Sequence, residues 1–365
     1  MHTDLGAALR TRGQITEAIG RYEHALSIDP EFGLAYYSLG NALSEYGKIA
    51  EAEEAYQQAV QRLPDDASAF NNLGHVLIEF GRKAEAETAL RTAIDPHRAS
   101  AHFNLHAVVY RDDDLDPAIA SLEAALATST DDGKSQFFHA MCLEQKGDKD
   151  AAIASFDKVP LDDNGYNHRL DSWDYALRQI QQNFSIRVFG TGAETYAHAQ
   201  DAATIDGLTL EFGVRFGTSI RQIAARTDGV VHGFGRFQGL PEAWHNNPVG
   251  EYTTHGELPQ VPDNVTLHVG LFDDTIASFK AEHDGPIRFM NVNCDIYSST
   301  KTILDQLHDR IVPGSVIAFD EYFCNPSWRF DEFKAFQEAV EQYGWEYDYL
   351  SFCPFARQAV VRIGG

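Results

Sequence analysis

Oxygen-bearing side chains gather at four places in the second half of this chain, each close to an apolar run. The first is LEFGVRFGTS (residues 210–219), where Glu211 is followed by a turn through Gly213 and Gly217 and a polar helix start at Thr218 and Ser219. Glycines at such a turn let a ligand approach the backbone, and a helix start offers unpaired N–H donors. The second is GFGRFQGLPEAW (233–244), and the third is NVNCDIYSSTKTILDQL (291–307), which carries Asn293 and Asp295. The fourth, PGSVIAFDEY (313–322), ends in Asp320 and Glu321 before its tyrosine. Acid and amide oxygens at one rim suit a hard divalent cation such as Mg²⁺. A carboxylate among them can serve as a proton acceptor.

Such side chains need a rigid frame, and the surrounding sequence supplies one. LTLEFG (208–213), VVHGF (230–234), VTLHV (265–269), IRFMNV (287–292), VIAF (316–319), WEYDYL (345–350) and AVVRI (359–363) read as strands. TSIRQIAAR, SSTKTILDQLHDRI and DEFKAFQEAVEQYG between them have helical periodicity. Apolar strands alternating with helices predict an α/β domain with a Rossmann-like, doubly wound, mostly parallel seven-stranded sheet covered on both faces. Ligands of such sheets bind at the carboxyl ends of the strands, where the four clusters lie. A turn after the fourth strand is needed to bring Asp295 to that rim.

Other chemistries find less support. The glycine turn reads Gly213-Val214-Arg215-Phe216-Gly217, so the GxGxxG of a dehydrogenase is absent. There is no G-x-S-x-G for a serine hydrolase. The fifteen histidines include no metalloprotease pair; His97, His102 and His106 come nearest and read as packing or surface residues. Trp244, Trp328, Trp345 and Tyr322 can stack on a sugar or aromatic ring, with core packing as the default for each. Four scattered cysteines show no zinc-like spacing and read as buried small hydrophobes.

The first half has a different texture. Gly6, Gly40 and Gly74 recur at 34 residues, and His106 and Ala140 continue the series after one slip. Ala18, Ala52, Ala86, Ala118 and Ala152 run in parallel with them. Tyr22, Tyr56, Leu90, Leu122 and Phe156 follow, and then Ala25, Ala59, Ala93, Ala125 and Val159. Glycine on a first helix predicts a close crossing against alanine on the second, with the aromatic or leucine filling the gap toward the next repeat. This pattern resembles the tetratricopeptide repeat (TPR) and predicts an α-solenoid of about five hairpins. The first register opens almost at Met1, so its first helix is expected to be short. The expected domains are the array over residues 1–164, a capping helix and linker over 165–184, and the α/β domain over 185–365. Stacked hairpins imply a protein or peptide partner on their concave face.

Both halves are acidic within a net charge of −25, which leaves no basic face for nucleic acid. No run approaches the ~20 apolar residues needed to span a bilayer. The N-terminal MHTDLGAALRTRG lacks the pattern of a signal peptide, so the expected setting is the cytoplasm.

The words E-x-G-V-x-x-G-x-S, G-L-P-E-x-W, C-D-x-Y-S-S-T and P-G-S-V-I-x-F-D-E-Y occur in that order over residues 185–362. Together they resemble the macrocin O-methyltransferase-like branch of the class I S-adenosylmethionine (SAM) methyltransferases. The resemblance implies SAM as cofactor and O-methylation of a hydroxyl on a small, sugar-like or natural-product-like acceptor. It implies that Glu211, Gly213, Gly217, Thr218 and Ser219 line the methionine and ribose side. Leu271, Phe272 and Asp273 would border the adenine, and Asn293, Asp320 and Glu321 would hold Mg²⁺. Asp295 and His255 are the candidate bases. Two positions depart from the family's pattern: Gly235 stands where a ribose-binding acid is usual, and Asn293 where a metal-binding aspartate is usual. Losing the ribose acceptor costs roughly 1.5–3 kcal/mol. The alternative reading is therefore a catalytically weakened or inactive module that serves a TPR scaffold.

Overall fold

The computed structural model describes residues 2–94, 99–129, 132–162 and 165–364; His97 lies outside them. The chain divides into two compact units, Met1–Tyr110 with Asp114–Lys158, and Arg111–Asp113 with Val159–Gly365. Among the described residues no helix is long and apolar enough to cross a membrane.

The first unit is five helical hairpins. They pair α1 (His2–Thr11) with α2 (Ile15–Ile28), α3 (Gly33–Tyr46) with α4 (Ile49–Arg62), α5 (Ala67–Glu79) with α6 (Lys83–Thr92), α7 (Ala99–Val109) with α8 (Asp116–Thr128), and α9 (Gly133–Lys146) with α10 (Lys149–Phe156). The small-residue markers are buried: Ala18, Ala52, Ala86 and Ala118 are fully inaccessible. One part of the packing differs from expectation. The repeat glycine faces the aromatic or leucine marker of its own hairpin rather than an alanine. A Cβ on Gly6, Gly40 or Gly74 would stand 2.6 Å from Tyr22, 2.7 Å from Tyr56 and 2.6 Å from Leu90. The large side chain spans the crossing, so the facing helix can carry no side chain there. In the fourth hairpin His106 takes the glycine position, buried between the rings of Phe103 and Phe138, and burial lowers its pKa to about 4.

The second unit opens with α11 (His168–Gln182), capped by Asn167, whose side chain accepts from the N–H groups of Arg169 and Leu170. Asp171 on this helix accepts from Trp328 Nε1 at 3.0 Å and pairs with Arg329, so α11 is tied to the sheet's later connections. The elements then run β1 (Arg187–Val188), α12 (Gly192–Ala202), β2 (Leu208–Phe212), α13 (Thr218–Ala225), β3 (Val231–Gly235), β4 (Val265–Val269), α14 (Phe272–Glu282), β5 (Ile287–Val292), α15 (Tyr297–Leu307), β6 (Val316–Phe319), α16 (Glu332–Tyr343), β7 (Tyr347–Cys353) and β8 (Gln358–Ile363). They form one eight-stranded sheet, in the order β1-β7-β8-β6-β5-β2-β3-β4. The pairings are parallel except those of β8, which runs antiparallel to β6 and β7. The eighth strand beyond the expected seven is the two-residue β1, too short to leave a periodic signal. Strands β3 and β6 are buried along their whole length, as strands covered on both faces must be. The chain leaves β2 for β3 on one side and β5 for β6 on the other, so the β2–β5 boundary is the switch point where a crevice opens.

Candidate functional site

A cleft of about 580 Å³ lies at that switch point, within the roughly 300–1,000 Å³ usual for small-ligand sites. Its floor is backbone. Gly213 has φ +97°, and a Cβ on it would sit 1.6 Å from the carbonyl oxygen of Asn293. The N–H of Gly213 donates to Phe234 at 2.9 Å and that of Asn293 to Phe212 at 2.8 Å, so three strand ends are stitched together here. Gly235 ends β3 against another carbonyl: its Cβ would meet Val214 O at 2.5 Å. The family's ribose-binding acid is therefore both missing and excluded, because its Cβ position belongs to the neighbouring turn.

Leu271, Phe272 and Asp273 line one wall at the start of α14. Phe272 sets its edge against Phe212 at 5.4 Å between ring centres, and Asp273 accepts from Gln306 Nε2 at 3.2 Å. Asn293 and Asp295 also line the cleft. Asp295 has φ +65°, so the expected turn after β5 exists and aims this carboxylate into the cleft. Burial, reinforced by nearby Asp320, raises its pKa to about 7, while Arg357 and Arg215 oppose the rise. Among the described residues it has no hydrogen-bond partner.

Other expected site residues lie elsewhere. Glu211 is buried beneath the cleft, accepting from Ser219 Oγ at 2.5 Å, and burial raises its pKa to about 8. That bond ties the start of α13 to the end of β2; Gly217, Thr218 and Ser219 begin that helix outside the cleft lining. His255 is exposed on the loop between β3 and β4 and does not line the cleft.

The expected Mg²⁺ site is not assembled. Asn293 and Glu321 line the cleft, whereas Asp320 is outside its lining, accepting from Tyr196 Oη at 2.8 Å and from Gln358 Nε2. Glu321 is paired with Arg357 at 2.8 Å. Among the described residues no group of three or more His, Cys, Asp or Glu side chains is placed to hold a metal ion. A guanidinium at this rim repels a divalent cation, so the residues present do not fit the metal.

The side chains that the sequence left unmarked come from loops. Arg357 occupies the tight turn between β7 and β8 with φ +63°, and Tyr252 sits on the irregular segment that follows β3. Neither belongs to a local motif, and only the fold brings them to the cleft. Of the candidate stacking residues, Trp244 lines the cleft with its Nε1 donating to Asp331, while Trp328 and Tyr322 are fully buried.

Comparison with known proteins agrees with this division. A methyltransferase-domain family profile matches residues 210–322, and tetratricopeptide-repeat profiles match residues 9–73, 43–108 and 108–166. The chain thus carries TPR repeats followed by a methyltransferase domain. Among solved structures, MamA is 24% identical and matches 49% of this chain and 99% of its own, with a TM-score of 0.41. The calicheamicin methyltransferase CalS11 is 22% identical over 47% of this chain and 77% of its own, with a TM-score of 0.41. YrrB, described as a TPR protein with an unusual peptide-binding site, is 20% identical over 43% and 82%, with a TM-score of 0.38. The domain assignment rests on the family profiles. The comparison with curated proteins gives no match.

Proposed function

We propose that the second unit is a SAM-dependent methyltransferase acting on a hydroxyl of a small, sugar-like or natural-product-like acceptor. In the same reading the TPR array captures a protein or peptide on its concave face, and the setting is the cytoplasm, where the four free, buried cysteines stay reduced. The observation that carries the catalytic part is Asp295, an unpartnered carboxylate turned into a glycine-floored cleft inside a matched methyltransferase domain.

SAM, when bound, supplies an electrophilic sulfonium methyl. The backbone at Gly213 and Gly235 would let the cofactor lie close to the strand ends, with Leu271, Phe272 and Asp273 bordering its nucleoside. Asp295 would take up the proton released by the acceptor's hydroxyl as that oxygen becomes methylated, holding it on the carboxyl group. Trp244 and Tyr252 line the cleft and would help exclude water from the acceptor. Mg²⁺ assistance, expected from Asn293, Asp320 and Glu321, drops out of this reading because Arg357 already pairs with Glu321 and Asp320 is held by Tyr196 and Gln358.

Isothermal titration of the full chain with SAM and S-adenosylhomocysteine (SAH) is the test. Saturable heat with both is expected; silence with both defeats the reading. Gly235 favours a second reading, a retained scaffold without turnover, since the place of the ribose-binding acid is filled by Val214 O. Multiple-turnover methylation of any acceptor by the native sequence rejects that alternative.

A further inference from the structure

Three guanidinium groups, Arg215, Arg236 and Arg357, line the cleft of a chain whose net charge is −25. Arg357 and Arg215 share this lining with Asp295, and the charge of each opposes the rise in its pKa. Arg215 is anchored, its Nε donating to the carbonyl of Tyr252 at 2.9 Å and its guanidinium lying 5.2 Å from the Tyr252 ring and 4.9 Å from that of Phe216. Arg357 touches Glu321 through Nη2, and its side chain is 47% exposed against 10% for Glu321. A guanidinium has five N–H donors, so this contact leaves Arg357 able to bind a second anion from the open side.

A planar, permanently charged fork matches a carboxylate or phosphate with two parallel hydrogen bonds, which a hydroxyl alone does not need. At the same rim the Arg357 guanidinium holds Glu321 at 2.8 Å, in the place a divalent ion would otherwise take. Resting on the methyl-transfer reading above, we propose that the acceptor carries an anionic group, carboxylate or phosphate, bound by Arg357 and Arg215, and that the cleft takes it without a divalent cation. The anion then anchors the acceptor beside Asp295, and the hydroxyl to be methylated lies elsewhere on the same small molecule.

The test uses the full chain saturated with SAH in the presence of EDTA. Inorganic phosphate and benzoate are titrated calorimetrically as probes of the two anion types. Saturable binding of either is expected; phosphate alone identifies a phosphorylated acceptor, and benzoate alone a carboxylated one. Arg357→Gln and Arg215→Gln are each expected to weaken that binding about tenfold or more, with Arg357→Lys retaining part of it. Unchanged SAH affinity in these variants shows that the cleft is intact. Absence of binding by both anions overturns the proposal, as does binding that survives both glutamine variants. Anion binding that competes with SAH also overturns it, because the arginines then hold the cofactor's own carboxylate. Stoichiometric Mn²⁺ binding by electron paramagnetic resonance, lost in Glu321→Gln, overturns the metal-free part. Failure of SAH to bind defeats the methyl-transfer reading instead, and the same anion titrations on the free chain then decide the arginines' role.

Discussion

Asp295 shows how a single backbone angle decides a side chain's use. A non-glycine residue at φ +65° costs roughly 1–3 kcal/mol of strain, yet here it turns the carboxylate into the cleft. Asparagine tolerates the same left-handed backbone, so Asp295→Asn should keep the fold and remove only the base. We predict a kcat lower by about 10²–10⁴, with SAH affinity unchanged in titration. A carboxyl group whose pKa is raised to about 7 must lose its proton before it can accept one. The rate should therefore rise with pH through about 7 and level off above it, and Asp295→Asn should lose that rise. A wild-type rate already flat at acidic pH removes Asp295 as the base. The second residue is Gly235. Read from sequence, Gly235→Asp is a repair; with Val214 O 2.5 Å from the new Cβ, it forces the turn apart. We predict a loss of roughly 1–3 kcal/mol in urea unfolding and weaker rather than tighter SAH binding. Both residues were visible as types and spacings. Their roles were not, since one depends on a dihedral angle and the other on a carbonyl from a different strand end.

At the scale of elements, the repeat helices separate local preference from packing. Glycine inside a helix ordinarily costs about 0.5–1 kcal/mol relative to alanine. Gly20, in the body of α2, has nothing within 4 Å of its would-be Cβ, so Gly20→Ala should stabilise the array by about that amount. Gly40, in α3, meets Tyr56 at 2.7 Å, so Gly40→Ala should instead destabilise by roughly 1–3 kcal/mol through overpacking. Urea midpoints of the two variants decide the matter, and equal signs would refute the account of the crossing. The period of 34 made the hairpins legible, because every repeat restates the same markers. Which marker meets which could not be read from it, since several residues share each helix face. The segment after β3 was harder still: residues 236–264 contain no helix, and their side chains reach the cleft through successive turns.

For the whole molecule, each unit has its own buried core, and the candidate site lies entirely in the second. A ligand that binds only the folded second unit raises that unit's stability by RT ln(1 + [L]/Kd), about 2.7 kcal/mol at a hundredfold excess over Kd. Scanning calorimetry of the full chain should therefore show SAH moving the transition that contains residues 159–364. The TPR transition, assigned by its shift in Gly40→Ala, should stay in place. A shift of both together would show that the units unfold as one. The net charge of −25 adds a general repulsion relieved by salt, so ionic strength must be matched between scans.

Sequence alone determined the order of the parts: the hairpin array by its repetition, and the α/β domain by apolar runs alternating with helical periods. These are local or periodic properties, and each leaves a trace in neighbouring residues. The contents of the cleft were decided only in three dimensions. Asp320 and Glu321 are adjacent in the chain, yet one accepts from Tyr196 and Gln358 while the other meets Arg357 in the cleft. Arg357 itself arrives from the β7–β8 turn, more than a hundred residues after Arg215, so no spacing rule links them. The charge of a site depends on which loops converge at the ends of the strands, and that convergence belongs to the tertiary fold.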